Sequence, residues 1–164
     1  MVLSLKAAEA DVVFPFTDGA AVVGQRSEVG MEYYYINRSG ERIGQRSYAI
    51  ALPFYENRAP VLDRETGLFG LIDSNGEWVV GPKYVALGHG EAPVCDARIA
   101  FITCKVDSRP CKGGYIDIDG NEVVVFLDVV YLQPFRNGAA VVRTDRQVGL
   151  VNTDGKWVWS RPVE

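Results

Sequence analysis

Two short motifs alternate four times along this chain of 164 residues, and this repetition constrains its fold more than any other feature. The first motif reads PFTDGAAVV at 15–23 and PFRNGAAVV at 134–142, with further copies PFYENRAPVL at 53–62 and PVCDARIAFI at 93–102. The prolines at 15, 53, 93 and 134 are spaced by 38, 40 and 41 residues. A period of this length predicts a protein built from stacked structural repeats.

The second motif follows each copy of the first. It reads YYINRSGERI at 34–43, GLIDSNGEWV at 70–79, GYIDIDGNEV at 114–123 and GLVNTDGKWV at 149–158. Apolar and polar residues alternate up to a turn that ends in glycine, and glycine supplies the positive φ that two-residue hairpin turns demand. Each unit therefore has a short strand in the first motif, a second strand before the glycine turn and a third strand after it. These three strands predict an antiparallel meander for each unit.

A lone meander of three short strands buries too little apolar surface to be stable, so the units must share cores with their neighbours. We therefore expect an all-β fold of four three-stranded antiparallel meanders, stacked as an open curved array in a single domain. The four repeats are expected at about 11–48, 49–88, 89–128 and 129–164. The proline restricts the residue before it, and the aromatic residue after it is expected to fill the seam between units. The sequence does not choose between an open array and a propeller-like ring.

These units resemble the bacterial WG repeats. The residues that carry the resemblance are Phe135, Gly138 and Ala140, together with the segments 70–78, 82–84 and 149–155. The tryptophan of the WG pair is replaced in every copy, where the pair reads Tyr33-Tyr34, Phe69-Gly70, Gly113-Gly114 and Val148-Gly149. The resemblance implies an all-β array with protein-binding roles and no shared catalytic apparatus.

The composition limits the classes of partner. With 48% hydrophobic residues the chain can fill a core, and its net charge of −4 argues against a general nucleic-acid binder, because such affinity comes from Lys and Arg that neutralise phosphates. The start MVLSLKAAEADVV lacks a signal-peptide core, and no run of about 18 apolar residues predicts a membrane span. We expect a cytoplasmic protein with no nucleic-acid or membrane partner.

Metal and catalytic groups are sparse. Cys95, Cys104 and Cys111 match no zinc pattern and are odd in number, so free thiols are expected. His89 is the only histidine, which leaves little basis for a metal site or a general base. We therefore predict no catalytic residue, no metal and no cofactor.

Two acidic groupings have alternative interpretations. Asp73 and Asp117 could form a carboxylate pair, but Asn37 and Asn152 occupy the same repeat position, which favours capping of a turn through a side-chain oxygen. The segment 117–122, DIDGNE, suggests a calcium loop, although its hairpin turn already accounts for the Asp-Gly pair. We interpret both groupings as structural.

The units differ in the length of one connection. From the strand-entry residue to the turn glycine the chain runs 20, 17, 21 and 16 residues in the four units, so units one and three carry longer loops near 24–32 and 104–113. Equivalent loops of a repeat array emerge on one edge, and insertions there are typical of binding surfaces. The residues predicted to contact a partner are Arg26, Glu28, Tyr33, Arg109 and Lys112.

Together these features favour a non-enzymatic protein-interaction module that binds a protein partner through loops on one edge, such as an immunity protein or a regulatory adaptor. A carbohydrate- or small-ligand-binding protein is the alternative, with Trp78, Trp157 and Trp159 as candidate contacts. Trp78 and Trp157 share a repeat position, which indicates a core role instead. An enzyme is the least favoured of the three functional classes, because no nucleophile, base and orienting group occur together. The sequence leaves the partner and the oligomeric state open.

Overall fold

The structure, a computed structural model, describes residues 10–88, 93–105, 108 and 110–164. Over these residues the protein is all-β, with sixteen strands in four separate antiparallel sheets, each with its strands in chain order. The first sheet contains β1 (Val12–Val13), β2 (Ala20–Ser27), β3 (Gly30–Asn37) and β4 (Arg42–Tyr48). The second contains β5 (Ile50–Ala51), β6 (Arg58–Leu62), β7 (Phe69–Asp73) and β8 (Trp78–Tyr84).

The third sheet contains β9 (Ala86–Leu87), β10 (Arg98–Ile102), β11 (Gly113–Asp117) and β12 (Glu122–Phe126). The fourth contains β13 (Val129–Leu132), β14 (Ala139–Thr144), β15 (Gln147–Asn152) and β16 (Trp157–Pro162). None of the four sheets is closed or curled. No helix in the described part of the chain is long and apolar enough to span a membrane.

The prediction of three strands in each unit is wrong, because each sheet has four. The additional strand is the segment just before each proline motif, which was predicted to be a connection. It pairs antiparallel with the next strand, for example Val13 with Val23 and Ala51 with Val61. Three of these first strands have only two residues, too few for an alternating pattern to be recognised.

Two-residue turns of type I′ occur at the proline motifs, not at the second motifs. At Asp18-Gly19 and Asn137-Gly138 both central residues have positive φ, as type I′ requires. At the second motifs only the glycine, such as Gly40 with φ 78°, has positive φ. There the loop is three residues long, since Asn37 N donates to Glu41 O at 2.8 Å. The expectation of two-residue turns at Asn-Gly and Asp-Gly was therefore wrong.

An Asp or Asn side chain at the same repeat position, 37, 73, 117 and 152, caps the three-residue loop in each of the four sheets. Asp73 Oδ1 accepts hydrogen bonds from the backbone N–H groups of Asn75 and Glu77 at 2.9 and 3.0 Å. The same pair of bonds reaches Asn37, Asp117 and Asn152. The predicted capping of the turns by Asp73 and Asp117 is confirmed. Hydrogen bonds to Asp117 also outweigh its partial burial, so its pKa is lowered.

Three hydrophobic clusters lie at the boundaries between successive sheets. The residue after each proline fills the seam, as predicted, wherever a preceding sheet exists. Phe54 packs edge-on against Tyr35 of the first sheet with ring centroids 4.8 Å apart, and Phe135 packs against Tyr115 of the third at 4.6 Å. Val94 is buried at the middle boundary. Each sheet thus provides one wall of a core that its neighbour completes.

Polar contacts repeat from boundary to boundary as well. An acidic side chain of each proline-motif turn accepts a hydrogen bond from a backbone N–H of the next such turn, and these pairs are Asp18 with Asn57, Glu56 with Ala97 and Asp96 with Gly138, at 2.8 to 3.2 Å. The tyrosine hydroxyls of Tyr35 and Tyr115 donate to main-chain oxygens of the following sheet. These bonds fix the register of one sheet on the next.

The cysteines depart from expectation. Cys104 and Cys111 form a disulfide across the connection between β10 and β11, with Cα atoms 5.2 Å apart. Antiparallel strands bring the two ends of their connection together, so cysteines seven residues apart meet although their spacing matches no familiar pattern. The prediction of three free thiols is therefore wrong. Cys95 is half-buried outside this disulfide, and burial raises the pKa of its thiol.

Candidate functional site

An apolar groove of about 830 Å³ lies between the first and second sheets. One wall is the β2–β3 hairpin, and the floor is the segment that joins β4 to β5 and runs on to Pro53. The lining residues are Phe14, Pro15, Thr17, Val22, Met31, Tyr33, Ala49, Ile50, Ala51, Leu52, Pro53, Tyr55 and Arg64. Phe14 and Ile50 are exposed, so the groove opens to solvent.

The longer connection predicted at 24–32 is strand, not loop. β2 and β3 pair along eight residues each, from Ala20 opposite Asn37 to Ser27 opposite Gly30, and only Glu28 and Val29 form the turn. The additional residues of the first unit therefore lengthen a hairpin. The prediction of a long loop at this site was wrong, because both strands continue their pairing through polar residues that read as loop.

The hairpin is held against the second sheet by Arg64. This residue lies in the connection between β6 and β7, and its guanidinium donates to the backbone oxygens of Val29, at 3.1 Å, and Met31. A planar guanidinium suits such a double contact because its N–H groups point in fixed directions. The contact closes one end of the groove and fixes the position of the hairpin turn.

Gly24 makes room for the aromatic wall of the groove. A Cβ atom at this position would lie 2.9 Å from Cε1 of Tyr33 and 3.1 Å from Cε of Met31. The residues that occupy the same register in the second and third sheets are Leu62 and Ile102. The first boundary therefore lacks a side chain that the other boundaries have, and Tyr33 and Met31 lie across the strand in its place.

The structure groups three of the predicted contact residues on this hairpin. Arg26 and Glu28 are exposed near its turn, and the backbone N–H of Arg26 donates to Asp11 Oδ2 at 2.6 Å. Tyr33 lines the groove and packs against the core of the first boundary. Arg109 lies outside the described residues. Arg64, which sequence reasoning missed, gave no signal because its connection is short.

Lys112 has a different setting, in the third sheet. Its Nζ donates to Glu122 Oε2 at 2.6 Å, and Glu122 Oε1 lies 3.7 Å from Nζ of Lys83 in the second sheet. The Lys112 hydrogen bond and the two ammonium charges lower the pKa of Glu122. Lys112 also lies 5.9 Å from the ring centroid of Phe101. The structure therefore places Lys112 in a contact between the second and third sheets and not beside the hairpin.

The three tryptophans separate into two groups. Trp78 packs edge-on against Tyr48, and Trp157 lies 5.7 Å from Phe126, both beside core clusters. The core interpretation of this repeat position is confirmed. Trp159 is exposed on the fourth sheet and does not line the groove.

A search of curated proteins finds no match to this chain. A family model described as WG containing repeat matches residues 69–89. The matched segment spans β7 and β8 of the second sheet and continues into β9, the first strand of the third. It includes the segments 70–78 and 82–84, on which the resemblance was partly based. Residues 69–89 are therefore identified as a WG containing repeat, as their pattern predicted.

Proposed function

We propose that this protein is a non-enzymatic interaction module whose protein partner binds the first boundary, with the β2–β3 hairpin and the groove beneath it as the contact surface. The observation that carries the proposal is the apolar groove lined by Tyr33, beside an exposed hairpin turn that bears Arg26 and Glu28. Buried aromatic and arginine side chains supply most of the energy of typical interfaces, and charges at the rim select the partner. A toxin-neutralising immunity protein and a regulatory adaptor are the two roles that we consider.

We further propose that the four sheets form an open curved array. The support is the exposure of apolar side chains at both ends, Phe16 on the first sheet and Leu150 on the fourth, where inner sheets bury the corresponding residues. In a closed ring the last sheet would cover the first.

Binding of a small molecule in the groove is the second candidate. A volume of about 830 Å³ falls within the range of small-ligand sites, which are mostly apolar with a few polar groups. Thr17, Tyr55 and Arg64 provide such groups here. A carbohydrate would stack on Tyr33 or Tyr55 rather than on the tryptophans named from the sequence.

The test is co-purification of a partner from the native host, followed by affinity measurements on purified variants. Arg26→Glu and Ile50→Glu are expected to weaken the complex tenfold or more without lowering the melting temperature, because both side chains are exposed. Lys156→Glu, an exposed change at a loop on the opposite edge, is the matched control. Arg109→Glu and Lys112→Glu test the second predicted loop.

The outcomes separate the candidates. A partner whose affinity ignores the hairpin and groove but depends on the turns at Asn75-Gly76 and Asp154-Gly155 would contradict the proposed surface. A small molecule retained by the purified protein and lost in Ile50→Glu would favour the second candidate; native mass spectrometry detects it.

We also propose that the protein is cytoplasmic, as its sequence predicts. The disulfide between Cys104 and Cys111 favours an oxidising compartment instead, because structural disulfides persist mainly in such compartments. Thiol labelling of the protein taken directly from its host distinguishes the two, since a cytoplasmic chain should carry both cysteines reduced.

A further inference from the structure

The first three sheets each present a row of cross-strand partners to the sheet that follows. Directly opposed residues of antiparallel strands share one face of the sheet. The rows are Val22–Tyr35–Ile43, Pro60–Leu71–Val80 and Ala100–Tyr115–Val124. Every member is buried or packs against the cluster at the following boundary. These rows form one wall of each inner core.

The fourth sheet has the same row in the same register, but nothing in the described chain covers it. Val141 pairs with Leu150, and Leu150 pairs with Trp159. Leu150 is 38% and Trp159 is 56% exposed, whereas Val142 and Val151, on the opposite face, are fully buried. The sheet therefore buries one face against the third sheet and leaves an apolar row on the other.

The adjacent row of this outer face carries two arginines. Arg143 pairs with Val148, and Val148 pairs with Arg161. The residues that take the place of Arg161 in the inner sheets are aromatic, namely Tyr48, Tyr84 and Phe126. Those in the place of Arg143 are Gly24, Leu62 and Ile102. Both arginines are exposed.

These substitutions argue against another repeat of the same kind on this face. Stacking a further sheet in the manner of the inner boundaries would bury two guanidinium groups at positions that are otherwise apolar, which is costly unless each is paired. A surface that serves only as a polar cap would also carry polar residues in the central row. Here the centre of the face is Leu150 beside Trp159, and the charge lies next to it.

We propose that the outer face of the fourth sheet is a second docking surface, for a protein segment that places an apolar side chain on Trp159 and carboxylates on Arg143 and Arg161. Tryptophan and arginine are the residues most enriched at the energetic centres of interfaces. Arginine pairs with carboxylates through two parallel hydrogen bonds, so it supplies orientation as well as charge. A symmetric contact with a second copy is disfavoured, since it would bring the arginines of both chains together.

This inference concerns a different sheet from the groove and does not rest on the proposed function. The test begins with a photo-crosslinking amino acid, p-benzoylphenylalanine, placed at position 159 of the full chain in its native host. We expect crosslinked peptides from one partner protein, with two or more carboxylates near an apolar residue. Crosslinks to nucleic acid or to another copy of the chain would overturn the proposal. The absence of any crosslink, although the substituted protein is folded, would also overturn it.

The second measurement uses the crosslinked segment as a synthetic peptide. Arg143→Glu, Arg161→Glu and Trp159→Ala should each weaken its binding to the purified protein at least tenfold, with unchanged melting temperature because all three side chains are exposed. Arg26→Glu, on the hairpin of the first sheet, should leave the affinity within twofold. Equal weakening by Arg26→Glu, or indifference to both arginine reversals, would contradict the assigned surface.

Discussion

The segments 15–23 and 134–142 share seven of nine letters, yet their aromatic residues have opposite environments. Phe135 is fully buried against Tyr115 of the third sheet, whereas Phe16 is 43% exposed. The backbone turns are alike, with positive φ at both central residues of each segment. The difference arises because a sheet precedes Phe135 and none in the described chain precedes Phe16. The local sequence of a repeat therefore determines its backbone conformation, whereas the neighbouring sheet determines how deeply its side chains are buried.

The largest expected effect tests this contrast directly. Phe135→Ala should reduce the free energy of unfolding by roughly 3–5 kcal/mol, the usual cost of removing a buried phenylalanine ring. Phe54→Ala should cost about as much, because Phe54 is also buried at a boundary. Phe16→Ala should cost less than about 1 kcal/mol. Urea unfolding of the three variants measures the set, and an equal loss for Phe16→Ala would show that another surface covers Phe16 in solution.

A smaller effect is expected from the tyrosine hydroxyls at the boundaries. Tyr35 Oη donates to Leu52 O, and Tyr115 Oη donates to Gln133 O, both at 2.6 Å. Burial raises the pKa of both hydroxyls, so both remain protonated donors at neutral pH. Removal of either hydroxyl leaves a carbonyl of the next sheet without its partner. Tyr35→Phe and Tyr115→Phe should each cost roughly 1–1.5 kcal/mol.

Tyr84 provides the matched control for this pair. It is as deeply buried, but within the described part of the chain its hydroxyl makes no bond to the following sheet, and its polar neighbour is Lys83 of the same strand. Tyr84→Phe should therefore change the free energy of unfolding by less than about 0.5 kcal/mol, because it breaks no hydrogen bond between sheets. A loss for Tyr84→Phe as large as for Tyr35→Phe would mean that the hydroxyls act through packing and not through bonds between sheets.

The same division explains how much of the fold could be predicted from the sequence. The four units, the positions of their turns and the caps at Asn37 and Asp73 depend on contacts within a few residues, and the repetition makes them visible. The lengths of the turns at the second motifs were mispredicted. The first strands were missed because they are recognisable only by their pairing, as with Ile50 opposite Leu62. The disulfide was missed because Cys104 and Cys111 meet through the pairing of β10 with β11.

The candidate sites divide in the same way. The break in the repeat pointed to the segment that holds Arg26, Glu28 and Tyr33, but the groove beneath it depends on contacts with Arg64 from another sheet. The two arginines of the fourth sheet are unusual only after the register shows that Arg161 takes the place of aromatic residues that pack at the inner boundaries. Register between strands is set by long-range pairing, which the pattern of a single chain does not specify.

The smallest expected effect concerns the capping position at 37, 73, 117 and 152, whose side-chain oxygen bonds only N–H groups of its own turn. Asp73→Asn should change the free energy of unfolding by no more than a few tenths of a kcal/mol, because the side-chain Oδ1 of asparagine can accept the same two N–H groups. Asn37 already does so in the first sheet, with distances of 2.9 and 3.0 Å that equal those at Asp73. Thermal unfolding of Asp73→Asn beside Asp73→Ala measures the difference, since alanine removes the acceptor and should cost about 1 kcal/mol, as at other caps. If Asp73→Asn were as destabilising as Asp73→Ala, the charge of Asp73 would matter in the second sheet. The turns would then depend on their surroundings as the boundary aromatics do.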